Sequence, residues 1–142
     1  DYRSSRGLGD VYKRQFSSID GIDISSEMVE IARGKSIYRN LKCFNLDKGI
    51  PVKQNEYSII TAIGVISVGA APITIFDKVF DLLPQNGLFA FSFNEHSLMV
   101  PEYSLKVKQT VKEKKAEQLF CELGPHILKR DLKSMVYVIK KL

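Results

Sequence analysis

One stretch constrains the fold more than any other: Ile19-Asp20-Gly21-Ile22-Asp23-Ile24-Ser25-Ser26-Glu27-Met28-Val29-Glu30-Ile31-Ala32-Arg33. A short apolar run ends on an acid, and a helix start follows at once. Ser25 or Ser26 is placed to cap that helix, and Glu27 or Glu30 favours its positive N-terminal end. Met28, Ile31 and Ala32 fall at helical spacing and predict a buried stripe. The stretch reads as strand, turn, helix, with Asp23 at the carboxyl end of the strand. In open α/β sheets ligands bind outside the carboxyl ends of strands, where an acid can hydrogen-bond ribose hydroxyls. A plain turn or N-capping aspartate fits the same spacing, and the pattern leaves both readings open.

The residues before this stretch have another origin. Ser5-Arg6-Gly7-Leu8-Gly9-Asp10-Val11-Tyr12-Lys13-Arg14-Gln15 is the peptide that a transposase-based sequencing adapter encodes. Residues 1–15 are therefore set aside as non-native, and residues 16–142 are taken as the domain. The natural frame is expected to begin near Phe16, with upstream coding sequence lost. Gly7-Leu8-Gly9-Asp10 imitates part of a glycine-rich nucleotide loop, but it follows no credible strand. What remains suits one domain. The formal net charge of the chain is +5. Arg3, Arg6, Lys13 and Arg14 against Asp1 and Asp10 account for two of those charges, and the balance is too mild to argue for nucleic acid. No apolar run is long enough to span a bilayer. Cys43 and Cys121 form no metal-spacing motif and are expected to be buried, reduced thiols of a cytoplasmic protein.

Further along, Leu41-Lys42-Cys43-Phe44-Asn45-Leu46 predicts a second short strand, with Asn45, Leu46 and Asp47 at its carboxyl end. Lys48-Gly49-Ile50-Pro51 reads as a loop. Tyr57 to Ile66 is nearly continuous in apolar residues, the pattern of a strand covered on both faces. Gly64 near its end leaves room for a ligand or a close backbone. A helix is expected with Ile73, Phe76, Val79, Phe80 and Leu83 on one face, stopped by Pro84-Gln85-Asn86-Gly87. Leu88 to Phe93 is the next strand, ending at Asn94-Glu95-His96. Tyr103 to Glu113 reads as a polar helix, and its lysines Lys106, Lys108 and Lys112, with Lys114 and Lys115, as a solvated face. Ala116–Cys121 and Met135–Ile139 are two strands with no long helix between them, which implies an antiparallel pair at one edge of the sheet.

Four segments in this order carry a family resemblance. Gly21-Ile22-Asp23-Ile24-Ser25-Ser26-Glu27-Met28, Asn45-Leu46-Asp47-Lys48-Gly49-Ile50-Pro51, Gly64-Val65-Ile66 and Leu83-Pro84-Gln85-Asn86-Gly87-Leu88-Phe89 resemble class I S-adenosylmethionine-dependent methyltransferases. The resemblance covers residues 16–142. It implies a Rossmann-like α/β sheet with an antiparallel C-terminal strand pair, and S-adenosylmethionine as cofactor. Carried over by position, it places Asp23 at the ribose hydroxyls, Asn45, Leu46 and Asp47 beside the adenine, and Ile63 and Gly64 near the sulfonium end, with Ile24 a further cofactor-binding residue. Two positions depart from the family pattern. The family often has an acid at the place of Asn45 and an aspartate at the place of Ser58. The family's first strand and glycine-rich loop should precede Phe16. The chain as given is therefore expected to be N-terminally truncated, unstable and inactive.

Methyl transfer from a sulfonium is an in-line displacement in which the protein mainly positions the reactants. A poor nucleophile needs a general base. His96, at the carboxyl end of a strand, is the first candidate, although a loop histidine on the surface is the favoured reading. His126, expected in the loop between the last two strands, is the second. Asn94, Glu95 and Tyr103 are candidates to line the pocket of a small-molecule acceptor. No membrane, nucleic-acid or metal partner is expected. Two other readings remain open: a nicotinamide- or flavin-binding Rossmann module, since an acid after a strand serves that class too, and a non-catalytic interaction domain that keeps the fold.

Overall fold

The computed structural model describes residues 16–127 and 132–142, so the segment assigned to the adapter lies outside the described residues. Two compact units divide between Gly49 and Ile50.

In the first unit, β1 (Asp20–Asp23) and β2 (Asn40–Cys43) pair in parallel through α1 (Ser26–Arg33). Parallel strands need such a crossover. Ser25 is the N-cap of α1, and its Oγ accepts the Met28 N–H at 3.2 Å. Asp20 fastens the starts of the two strands. It accepts from Arg39 Nε at 3.0 Å and Nη2 at 2.6 Å, and from the Asn40 N–H at 3.1 Å. The expected buried stripe of α1 is corrected here. Val29 is buried, at 4% exposure, whereas Met28 and Ile31 stay 51% and 59% exposed. Two strands about 4.8 Å apart offer α1 only a narrow surface, enough to cover one row of its side chains. The second strand is also shorter than its apolar run. It ends at Cys43, and Asn45 instead caps a 3₁₀ turn over Leu46–Lys48.

The second unit contains β3 (Ile59–Ala62), α2 (Thr74–Leu82), β4 (Leu88–Asn94), α3 (Glu95–Leu98), α4 (Pro101–Lys112), β5 (Ala116–Ile127) and β6 (Leu132–Lys141). Its sheet runs β3-β4-β6-β5, parallel for β3-β4 and antiparallel for β4-β6 and β6-β5. The closing antiparallel pair is as the sequence implies, although both strands run longer than their apolar centres. The strand expected over Tyr57 to Ile66, covered on both faces, is instead four residues long, the outer strand of this sheet among the described residues, with Ile59 and Thr61 exposed. It stops because Gly64 turns the chain at φ 72° and its N–H is taken by Ser92 Oγ, 2.8 Å away, outside any strand ladder.

Alternation along β4 sends Phe89, Phe91 and Phe93 to one face, where all three are fully buried. Phe76 of α2 meets Phe91 edge-on at 5.3 Å, and Tyr103 of α4 meets Phe93 edge-on at 5.4 Å. Tyr137, the β6 partner of Phe91, stacks on it at 5.1 Å. Burial, with the neighbouring Cys121 adding to it, holds the Tyr137 hydroxyl above its usual range. The buried face of α2 is Ile75, Phe76 and Val79, followed by Leu83, while Ile73 is the N-cap rather than part of the stripe. Beyond Leu83, Asn86 takes φ 66°, and a Cβ on Gly87 would lie 2.9 Å from Pro84 O. Lys141 of β6 closes the end of α2: its Nζ donates to Phe80 O at 3.0 Å and Leu83 O at 2.9 Å. The lysine face of α4 is solvated as expected, with Lys106 paired to Asp77 at 3.0 Å. Neither cysteine is deeply buried: Cys43 is exposed and Cys121 half-buried, because both strands that carry them are sheet edges.

Candidate cofactor site

The sequence-predicted contacts divide between the units. Asp23, Ile24, Asn45, Leu46 and Asp47 lie in the first, and Ile63, Gly64 and His96 in the second.

In the first unit, the parallel register puts Asp23 opposite Cys43. The Phe44 N–H donates to Asp23 O at 2.9 Å, and Cys43 Sγ reaches Ile24 O at 3.3 Å. The carboxyl ends of β1 and β2 are thereby brought together, and the residues that follow each strand with them. Asp23 is half-buried, and its Oδ1 accepts the Ser25 N–H at 2.9 Å. This is an aspartate turn of the kind a short acidic side chain makes with the backbone two residues on. Among the described residues Oδ2 has no partner. Asn45 makes the same kind of turn, with Oδ1 accepting the Asp47 N–H at 2.9 Å. Its side chain is thus occupied in shaping the turn, with Leu46 half-buried and Asp47 exposed behind it. A groove of about 190 Å³ runs beside Asp23, lined by Gly21, Ile22, Met28, Lys35 and Tyr38 among others. The apolar residues that α1 leaves uncovered therefore flank the one acid at the end of β1. Of the first-unit residues that the resemblance assigns to the cofactor, Asp23 lines this groove, whereas Ile24, Asn45, Leu46 and Asp47 do not.

In the second unit, Ile63 and Gly64 occupy the turn after β3, with Ile63 half-exposed. His96 stands on the single-turn helix α3 and is exposed, as the surface reading has it. The candidate acceptor-lining residues have structural roles of their own. Tyr103 belongs to the core, 7% exposed against Phe93. Asn94 is the N-cap of α3, its Oδ1 accepting the Ser97 N–H at 2.9 Å. Glu95 is half-buried at the start of that helix. His126 lies within β5 rather than in a loop, since the final hairpin extends past the apolar residues that signalled it. The sequence reading missed Ser92 and Ser97, which bond to the turn after β3 from 28 and 29 residues away. Two isolated serines carry no local signal of such a role. Among the described residues, no group of three or more His, Cys, Asp or Glu is arranged to hold a metal, and no helix is long and apolar enough to cross a membrane.

Comparison with known proteins agrees with the fold. No curated protein matches the chain. The solved structure of N-methyltransferase NodS from Bradyrhizobium japonicum WM9, in complex with S-adenosyl-L-homocysteine, is similar at a TM-score of 0.62 and 8% identity. That match covers 88% of this chain and 67% of NodS. A putative S-adenosylmethionine-dependent methyltransferase from Listeria monocytogenes is similar at a TM-score of 0.66 and 14% identity, over 88% of this chain and 80% of that one. The [4+2]-cyclase SpnF is similar at 0.61 and 14%, over 87% of this chain and 66% of SpnF. At such identities these structures show a shared fold, the Rossmann-like α/β fold of this group. A family model described as a methyltransferase domain matches residues 6–91. The match takes in Gly7-Leu8-Gly9-Asp10, inside the segment assigned to the adapter, and runs through β1, α1, β2, β3 and α2 into β4. It spans more than half of the sequence, and the chain belongs to this family of methyltransferase domains.

Proposed function

We propose that the protein transfers a methyl group from S-adenosylmethionine to a small-molecule acceptor in the cytoplasm. The observation that carries this reading is the family match over residues 6–91, which includes the Asp23 turn. When bound, the cofactor supplies a methyl group already activated by the positive charge on its sulfur. The chain's own residues then have to bind and orient. Asp23, held by the Ser25 N–H through one oxygen, accepts from ribose hydroxyls with the other. Asn45, Leu46 and Asp47 shape the adenine side, and Ile24 is a further cofactor contact. In the second unit, Ile63 and Gly64 meet the sulfonium end. Orientation of this kind can supply a large part of a methyl-transfer rate without a nucleophilic side chain. His96 is exposed on α3 and is the candidate to take a proton from the acceptor. The free, partly exposed thiols of Cys43 and Cys121 support a reducing compartment. We further propose that residues 1–15 are adapter-derived.

Calorimetry of the natural gene product with S-adenosylmethionine, its demethylated product and NAD tests the cofactor. The first two are expected to bind and NAD is not. Tight NAD binding with no response to either sulfur ligand would overturn the reading. SpnF, described as a cyclase, shares the fold, so binding alone leaves the reaction open. Release of S-adenosylhomocysteine with a methylated product, found by mass spectrometry, decides that part.

A further inference from the structure

Two serines in the second unit are more deeply buried than their chemistry favours. Ser92 on β4 is 2% exposed and Ser97 on α3 is 0% exposed. A buried hydroxyl costs free energy unless it is hydrogen-bonded. Both are bonded, and both reach the same irregular segment. Ser92 Oγ accepts the Gly64 N–H at 2.8 Å, and Ser97 Oγ accepts the Val68 N–H at 3.1 Å. Ser97 Oγ also donates to Asn94 Oδ1 at 2.8 Å, which fixes the direction of its hydroxyl proton. The segment's own bonds run from Ala71 N to Val65 O and from Ser67 N to Ala71 O, at 3.2 and 3.0 Å. They close its far end and leave Gly64 and Val68 to the serines. Gly64 needs the help most, because its φ of 72° lies where an extended strand would not hold it. The side chains of Ile63 and Val68 nevertheless stay half-exposed, at 52% and 50%. The backbone is pinned from within while these two apolar side chains face open space.

A surface turn could satisfy its amides with water. Here two hydroxyls are taken out of water to hold two specific amides, and preorganisation of a binding surface repays such a cost. We infer that Ser92 and Ser97 are positioning residues that hold the Ile63–Val68 turn in its cofactor-binding form. This inference rests on the proposed role of Ile63 and Gly64. Neither serine is placed against the cofactor itself.

The test uses the natural gene product with Ser92→Ala, Ser97→Ala and, as a control, Thr110→Val. Thr110 is also buried in this unit, and its hydroxyl donates to Lys106 O within α4. Each variant is measured for affinity to S-adenosylhomocysteine, thermal midpoint, and amide exchange at Gly64 and Val68. The serine variants are expected to bind about fivefold or more weakly, the effect of losing roughly one hydrogen bond. Their Gly64 or Val68 amide should exchange faster. Thr110→Val should lower the midpoint and leave affinity unchanged. Ser92→Cys keeps an acceptor at the same place and should fall between wild type and Ser92→Ala. It carries the comparison if an alanine variant does not fold. Unchanged affinity in the serine variants with faster amide exchange would overturn the inference, and so would an equal loss in Thr110→Val. A wild-type protein without affinity for S-adenosylhomocysteine would instead overturn the cofactor reading beneath it, and the inference with it.

Discussion

Asp23 has two oxygens with two fates. Oδ1 is committed to the Ser25 N–H, and Oδ2 is uncommitted among the described residues. The turn role and the ligand role are therefore not exclusive, and substitution can separate them. Asp23→Asn keeps an oxygen for the Ser25 N–H, since asparagine serves such turns as well as aspartate. It removes the charge and one acceptor. If Asp23 served only the turn, this variant would bind cofactor like wild type. We expect instead that Asp23→Asn and Asp23→Ala both weaken S-adenosylhomocysteine binding in the natural gene product, the alanine by about 1–3 kcal/mol. Calorimetry on the pair checks it, and wild-type affinity in both would return Asp23 to the turn alone. The position of Asp23 was legible because an acid, two serines and a helical spacing lie within a few residues. The occupation of its Oδ1 was not, because spacing does not say which oxygen a backbone amide will claim.

At the scale of elements, α2 shows how a helix end is completed from far away. The end of the helix leaves carbonyls short of intrahelical donors. Phe80 O accepts the C-cap Leu83 N–H at 3.3 Å and Leu82 O accepts the Asn55 N–H at 2.8 Å, and Lys141 adds to these from β6, with Nζ bonded to Phe80 O and Leu83 O and lying 5.2 Å from the centre of the Phe80 ring. A cation there also meets the negative end of the helix. Lys141→Met keeps most of the aliphatic stem and removes the donors. We expect it to destabilise the protein by about 1–2 kcal/mol, the lower part of the range for charged hydrogen bonds because the group is part-exposed. Urea unfolding measures this, and a change within about 0.3 kcal/mol would show that water replaces the ammonium at no loss. The sequence could announce α2 through Phe76 and Val79, and β4 through the alternation of Phe89, Phe91 and Phe93. It could not announce Lys141 as the closing group, since 58 and 61 residues separate it from the two carbonyls. For the same reason the apolar pattern overstates the length of β3. Ile63-Gly64-Val65-Ile66 looks like strand until a serine 28 residues on takes the Gly64 N–H.

At the scale of the molecule, burial among the described residues is uneven. Nearly every buried apolar side chain among them belongs to the second unit, and in the first only Val29 is buried. Two strands of four residues under one short helix make a marginal structure by themselves. Amide exchange should therefore be faster at Gly21–Asp23 and Leu41–Cys43 than at Phe89–Phe93 and Tyr137–Ile139, because local opening is cheapest where least apolar surface is buried. Equal protection in both groups, measured by exchange and mass spectrometry, would overturn this. The strand order of the second unit also has a consequence during synthesis. β4 pairs with β6, and β5 also pairs only with β6. A ribosome makes β5 before β6, so two strands leave the exit tunnel with no mate on the antiparallel side. Until the residues around Tyr137 follow, the phenylalanines of β4 and the apolar side chains of β5 are open to whatever else is nearby. The nascent chain thus passes through a sticky interval whose length is set by translation speed, and holding factors that shield unpaired strands would act there.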